Sequence, residues 1–124
     1  MTRNQTIRKV SQQELSVIGS LLDRDVPGAA VLRSQLPDSL VYPMNDDETI
    51  LRFKVSPHAV PATMPYKQNV AVEAVTKDLD GCRVEVLLHV KDGLVYELEY
   101  VKADGSPLQR KPTGGNLAEF VVHR

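Results

Sequence analysis

The chain has 124 residues, of which 42% are hydrophobic and 25% charged, and its formal net charge is −1. A chain of this length buries roughly two-thirds of its unfolded surface, so one domain over residues 1–124 can build a core without disulfide or metal staples. The balanced charge gives no electrostatic case for nucleic acid or an anionic membrane as partner.

Residues 1–10 show no apolar period and are expected to be flexible. Their basic residues are not followed by an apolar run, so a signal peptide is not expected. Ser11-Gln12-Gln13-Glu14 has the spacing of a capping box, in which the serine hydroxyl and the glutamate carboxylate each satisfy an orphan N–H of the other. Leu15, Ile18, Leu21 and Leu22 follow at helical spacing, which predicts a helix over 12–24. Pro27-Gly28 breaks the chain, and Ala29–Leu36 reads as a second short helix with Leu32 and Leu36 inward. Leu40–Met44 reads as a short strand, Asn45–Glu48 as a turn and Ile50–Val55 as a strand. Pro57, Pro61 and Pro65 remove donors that a central strand needs, so 56–68 is expected to be a loop.

Asp-Gly recurs at Asp80-Gly81, Asp92-Gly93 and Asp104-Gly105, 12 residues apart each time. The runs between are β-rich: Val70–Lys77, Cys82–Val90 and Leu94–Lys102. Asp-Gly joining such runs marks hairpins, because glycine takes positive φ at little cost. The pattern predicts a four-stranded meander whose last strand is short and broken by Pro107 and Pro112. Register follows from burial. A two-residue loop after Lys91 would place Glu97 and Glu99 among Val84, Val86, Leu88 and Val90, an expensive burial of charge. Three-residue loops, Leu79–Gly81 and Lys91–Gly93, instead pair Leu88 with Tyr96, Val86 with Leu98 and Val84 with Tyr100. They also set Val72 against Leu88 and Ala74 against Val86. The helices would cover that apolar face. The fold class is therefore α+β, with one or two N-terminal helices on an antiparallel meander of about five to six strands.

The opposite sheet face would carry Glu73, Leu87 and Glu97 in one row and Val75, Glu85 and Glu99 in the next, with Ala71, His89, Val95, Lys77, Arg83 and Val101 flanking. Such a mixed acidic and aliphatic face suits either solvent or a partner. Glu85 beside Glu99 costs stability unless a basic group relieves it. Asp46, Asp47 and Glu48 form a second acidic spot.

No phosphate loop, metal-ligand spacing or catalytic arrangement stands out, so no cofactor, metal or enzymatic role is expected. Asp78-Leu79-Asp80-Gly81 is faintly calcium-like but is explained by hairpin chemistry. The lone Cys82 reads as a small packed residue and excludes a disulfide scaffold, which makes the reducing cytoplasm the expected compartment. No apolar run reaches the roughly 18 residues of a membrane-spanning helix.

The order of these motifs is itself informative. Lys77-Asp78-Leu79-Asp80-Gly81, Val84-Glu85-Val86-Leu87-Leu88, Gly93–Glu99 with Glu97-Leu98-Glu99, and Asp104-Gly105-Ser106-Pro107-Leu108 resemble an uncharacterised family of small bacterial α+β domains over nearly the whole chain. That family carries no established chemistry and implies no catalytic residue. By type, such domains resemble immunity proteins that neutralise bacterial toxins.

The reading that follows is a cytoplasmic protein-binding module, most concretely an immunity protein for a basic toxin domain. Its partner-binding residues would be Glu73, Glu85, Leu87, His89, Glu97 and Glu99, with Asp46, Asp47 and Glu48 as the second spot. The alternatives are a self-associating structural domain, as monomer or homodimer through the same face, and a small-molecule binder using Tyr42, His58 and Tyr66 beside the proline-rich loop.

Overall fold

The computed structural model describes residues 6–63 and 70–123. It contains β1 (Arg8–Lys9), α1 (Gln12–Leu22), α2 (Ala29–Ser34), β2 (Leu40–Pro43), β3 (Ile50–Lys54), β4 (Val70–Lys77), β5 (Arg83–Lys91), β6 (Leu94–Lys102), a 3-10 turn at Gly114–Asn116 and β7 (Ala118–Val122). The strands form one antiparallel sheet in the order β1-β2-β3-β6-β5-β4-β7. The α+β class holds, and seven strands exceed the five to six expected.

Helix α1 starts where the capping box places it. Glu14 N–H donates to Ser11 Oγ at 3.1 Å, and Ser11 N–H donates to Glu14 Oε1 at 2.9 Å. Val17, Ile18, Leu21 and Leu22 face the core, whereas Leu15 is only half-buried. On the sheet, Leu51, Leu98, Leu88 and Val72 form a row across four adjacent strands, all fully buried. Tyr100, Val86 and Ala74 form the next row. Each such Val or Leu burial is worth ~1.5–3 kcal/mol.

The segment expected to be flexible in fact begins the sheet, as far as it is described. Arg8 pairs with Val41, and its guanidinium grips both oxygens of Glu14 at 2.9 and 2.6 Å and Glu48 at 2.7 Å. A bidentate pair of this kind is directional as well as attractive. Burial pushes the Glu14 carboxyl up, but Arg8 and the Ser11 N–H outweigh it and hold the carboxyl below its ordinary value. One arginine thus ties β1, the start of α1 and the β2–β3 turn together.

The β4–β5 hairpin keeps the expected register from Val72↔Leu88 to Lys77↔Arg83, with Gly81 left-handed at φ 81°. Only Val70 departs: a bulge sets it opposite His89. The β5–β6 hairpin overturns the expected loop. Lys91 opposes Leu94, so the turn holds two residues, Asp92 and Gly93, both with positive φ of 53° and 77°. That is the backbone two-residue hairpins favour. An irregularity between His89 and Val90 then adds Tyr96 as an extra residue, and pairing resumes at His89↔Glu97, Leu88↔Leu98 and Val86↔Tyr100. Glu97 and Glu99 stay off the core face, as the cost of burying charge requires. The means differs: a tight turn plus a bulge replaces the longer loop, and pairs slide by two residues. Val95 moves to the core beside Val90, and Tyr96 leaves it.

Buried Gln35 secures this tip. Its amide donates to Gly93 O and Val60 O, both at 2.9 Å, and its Oε1 accepts from Val95 N–H at 2.8 Å. Gly93 is held to glycine twice, by its φ and by the Ala62 backbone lying where a Cβ would go.

The meander ends at β6. Gly105 makes the expected turn, its N–H donating to Lys102 O at 3.0 Å. No hairpin partner follows, because β3 already occupies the other side of β6 and Pro107 and Pro112 deny ladder donors. The chain instead crosses to the far edge, where β7 pairs with β4. A buried charge cluster pins the crossing. Lys102 Nζ lies 2.9 Å from Asp78 Oδ2 and 2.7 Å from Asp80 Oδ2. Asp78 also accepts from the N–H groups of Gln109 and Arg110 at 2.8 and 3.1 Å. In the faintly calcium-like stretch, a lysine ammonium is the cation.

Two predictions follow from these contacts. Gln35→Ala leaves the Gly93 carbonyl with only the Ala62 N–H, removes the acceptor of the Val95 N–H and lowers stability by about 1–3 kcal/mol, seen as a lower urea midpoint at unchanged slope. The second concerns acid. Burial would raise the Asp78 carboxyl, but the Gln109 N–H, Lys102 and the Leu79 N–H hold it at about 2. Its contribution is complete above the unfolded carboxylate value of about 3.9 and fades as pH falls toward the folded value. The stability gap between the parent chain and Asp78→Asn should therefore narrow between those two pH values; a constant gap would refute the assignment.

Candidate binding face

With α1 and α2 packed on one side, the other side of the sheet is open. Alternation along each strand decides what it shows. Its rows differ from the expected ones because of the slide in β6. One row runs Tyr42, Arg52, Glu97, His89 and Val70. The next runs Ile50, Glu99, Leu87, Glu73 and Val121. A third holds Val101, Glu85 and Val75.

Glu85 therefore opposes Val101, and the expected Glu85–Glu99 pair does not form. Glu73, Glu85, Leu87, His89, Glu97 and Glu99 are nonetheless brought together on this one face, all half-buried. Most of the acids are already engaged. Arg52 donates to Glu97 Oε1 through Nε at 3.2 Å and Nη2 at 3.0 Å. His89 Nε2 lies 3.0 Å from Glu99 Oε1 and 3.9 Å from Glu97 Oε2. His123 Nε2 lies 2.9 Å from Glu73 Oε2. Glu85 has no ion pair among the described residues, and its cross-strand neighbours are Val75 and Val101. Val101 and Val121 remain 39% and 49% exposed.

Arg52 and Tyr96 belong to this face although sequence reasoning did not place them there. The Arg52 guanidinium stacks 4.5 Å from the Tyr96 ring centroid, with Lys91 at 5.2 Å. The alternation Leu51-Arg52-Phe53 does show Arg52 pointing away from the core. Its meeting with Glu97 depends on β3 pairing with β6, a contact between segments 45 residues apart.

The second acidic spot lies elsewhere. Glu48 is tied to Arg8 on the helix side, and Asp46 and Asp47 are exposed. Of the three, Asp47 lines a groove of about 300 Å³ that also includes Glu99 and Val101. Of the three residues suggested for a small-molecule pocket, two fall among the described residues. Tyr42 is on the open sheet face opposite Arg52, His58 is exposed, and Tyr66, like the end of the 56–68 loop, lies outside the described residues. A cavity of about 460 Å³ does exist at another corner of the sheet, lined by Val75, Lys77, Arg83, Arg110 and Glu119 among others. No helix among the described residues is long and apolar enough to cross a membrane.

No curated protein and no solved structure matches the chain significantly. One family model does, over residues 7–112, which covers both helices, β1 to β6 and the Asp78–Lys102 staple. The chain belongs to that family, DUF6984, a domain of unknown function.

Proposed function

We propose that this chain is a protein-binding module without a catalytic role, and that its open sheet face is the binding surface. The most concrete form of the proposal is a bacterial immunity protein that holds a basic toxin domain and blocks it. One observation carries the reading: Glu85 has no ionic partner among the described residues and is flanked by Val75, Leu87 and Val101, part of them exposed.

A carboxylate set among aliphatic side chains is poorly solvated and poorly paired at once. A partner that offers an arginine or lysine within an apolar rim would satisfy both groups. Acidic residues around that centre, Glu73, Glu97 and Glu99, would speed encounter with a basic surface and fix its orientation. Their present partners, His123, Arg52 and His89, keep the patch from being a field of bare like charge. A semi-apolar centre with a charged rim is the usual anatomy of a non-obligate interface.

The test is retention of a partner by the tagged chain at moderate salt, identified by mass spectrometry and then titrated in pure form. The proposal expects one stoichiometric partner with a basic binding domain. It expects Glu85→Lys with Leu87→Asp to weaken binding by about tenfold or more while the melting temperature holds. Co-expression of the parent chain, and not of this variant, should relieve any toxicity of the partner. Equal binding by parent and variant would remove the sheet face from consideration.

A further inference from the structure

Three potential metal ligands converge on the open face. His89 Nε2, a Glu97 oxygen and a Glu99 oxygen lie within 4.8 Å of one another. We infer that His89, Glu97 and Glu99 form a binding site for a divalent transition-metal ion, zinc being the one this donor set suits.

The spacing is right for a single ion. Zinc bonds to nitrogen and oxygen of about 2.0–2.2 Å, arranged tetrahedrally, place neighbouring ligand atoms about 3.3 Å apart. The observed separations from His89 Nε2, 3.0 Å to Glu99 Oε1 and 3.9 Å to Glu97 Oε2, bracket that value. Small side-chain rotations would bring all three into range. The donor types are compatible as well, since zinc binds both imidazole nitrogen and carboxylate oxygen, and three protein ligands leave a fourth position for water or another ligand.

The scaffold holds the ligands independently of any ion. His89 and Glu97 are direct cross-strand partners, and Glu99 is two residues along the same strand and on the same face. All three sit in the middle of a seven-stranded sheet, where backbone positions are well fixed. Arg52 orients one ligand. Its Nε and Nη2 both bind Glu97 Oε1, which leaves Oε2 as the oxygen turned toward His89. Hydrogen-bonded outer groups of this kind commonly orient metal-binding carboxylates. Side-chain exposures of 19%, 13% and 28% leave the site reachable from solvent yet partly shielded. Elsewhere on this face His123 meets a single carboxylate among the described residues, Glu73, which makes two potential ligands and not three.

The site is tested on the chelator-treated full chain, titrated with zinc chloride by calorimetry. One zinc per chain with micromolar affinity is expected, together with a rise in melting temperature. His89→Gln and Glu99→Gln should each weaken binding at least tenfold and abolish the thermal shift. Circular dichroism on both variants without zinc shows whether each is folded. His123→Gln and Cys82→Ser should bind as the parent does. Absence of saturable binding, parental affinity in both site variants, or loss of binding in Cys82→Ser would each overturn the assignment. The titration needs no partner, and the partner test rests on Glu85 and Leu87, so either can fail alone.

Discussion

Carboxylates left unpaired in an apolar layer are costly, and that constraint governs how β5 and β6 meet. Glu97 and Glu99 alternate with Leu98 and Tyr100, so one slip of register would exchange the two sets. A two-residue turn alone would make that slip. Tyr96 restores parity as an extra residue, and the bulge is stable because Gln35 supplies hydrogen-bond partners to Gly93 and Val95 around it. The bulge therefore belongs to the sequence as firmly as the turn does. Everything on either side of the sheet inherits this solution: the buried rows beneath α1 and the charged rows on the open face.

The same slide places His89 directly opposite Glu97 and brings Glu99 within hydrogen-bond distance of its ring. It also removes Glu99 from beside Glu85, so that Glu85 is left with aliphatic neighbours. The two proposals for the face thus centre on different residues, Glu85 and His89, both placed by one irregularity. The ion pairs that fasten the fold lie apart from the face proposed for binding. The buried Asp78–Lys102 pair and the Arg8–Glu14 pair lie at other ends of the sheet, where they fasten loops and the first strand.

Much of the fold was legible because its signals are local. The Ser11–Glu14 box set the start of α1, and the three Asp-Gly pairs set three turns. Period-two alternation gave β3 to β6, and an argument about charge gave the correct faces. What escaped was non-local or left to a choice among equivalent devices. Parity alone cannot distinguish a longer loop from a short turn with a bulge. Arg8–Lys9 is too short to show a period, and its role depends on Glu48, 40 residues away. β7 was hidden because nothing in Ala118–Val122 says which edge it will join. The face residues were found as a set, but their partners, Arg52 on β3 and His123 just past the end of β7, depend on strand neighbours the sequence does not name. Of Asp46, Asp47 and Glu48, Glu48 is bridged to Arg8, a contact that acidity in the sequence does not show, while Asp46 and Asp47 are exposed as a polar turn predicts.

The two borders of the sheet are unlike its interior. One border is β1, with two residues, and the other is β7, with five. Pairing of β7 with β4 is irregular between Glu73 and Val75, and Glu119 stands in a left-handed conformation at φ 51°. Short and kinked borders offer poor templates for an incoming extended chain. Without β7, the eight-residue β4 would present a longer border. Among the described residues both flanks are thus poor sites for strand addition, a route that many peptide-binding sheets use. A partner of the kind proposed would then meet side chains on the flat of the sheet, where charge and shape, more than backbone pairing, would select it.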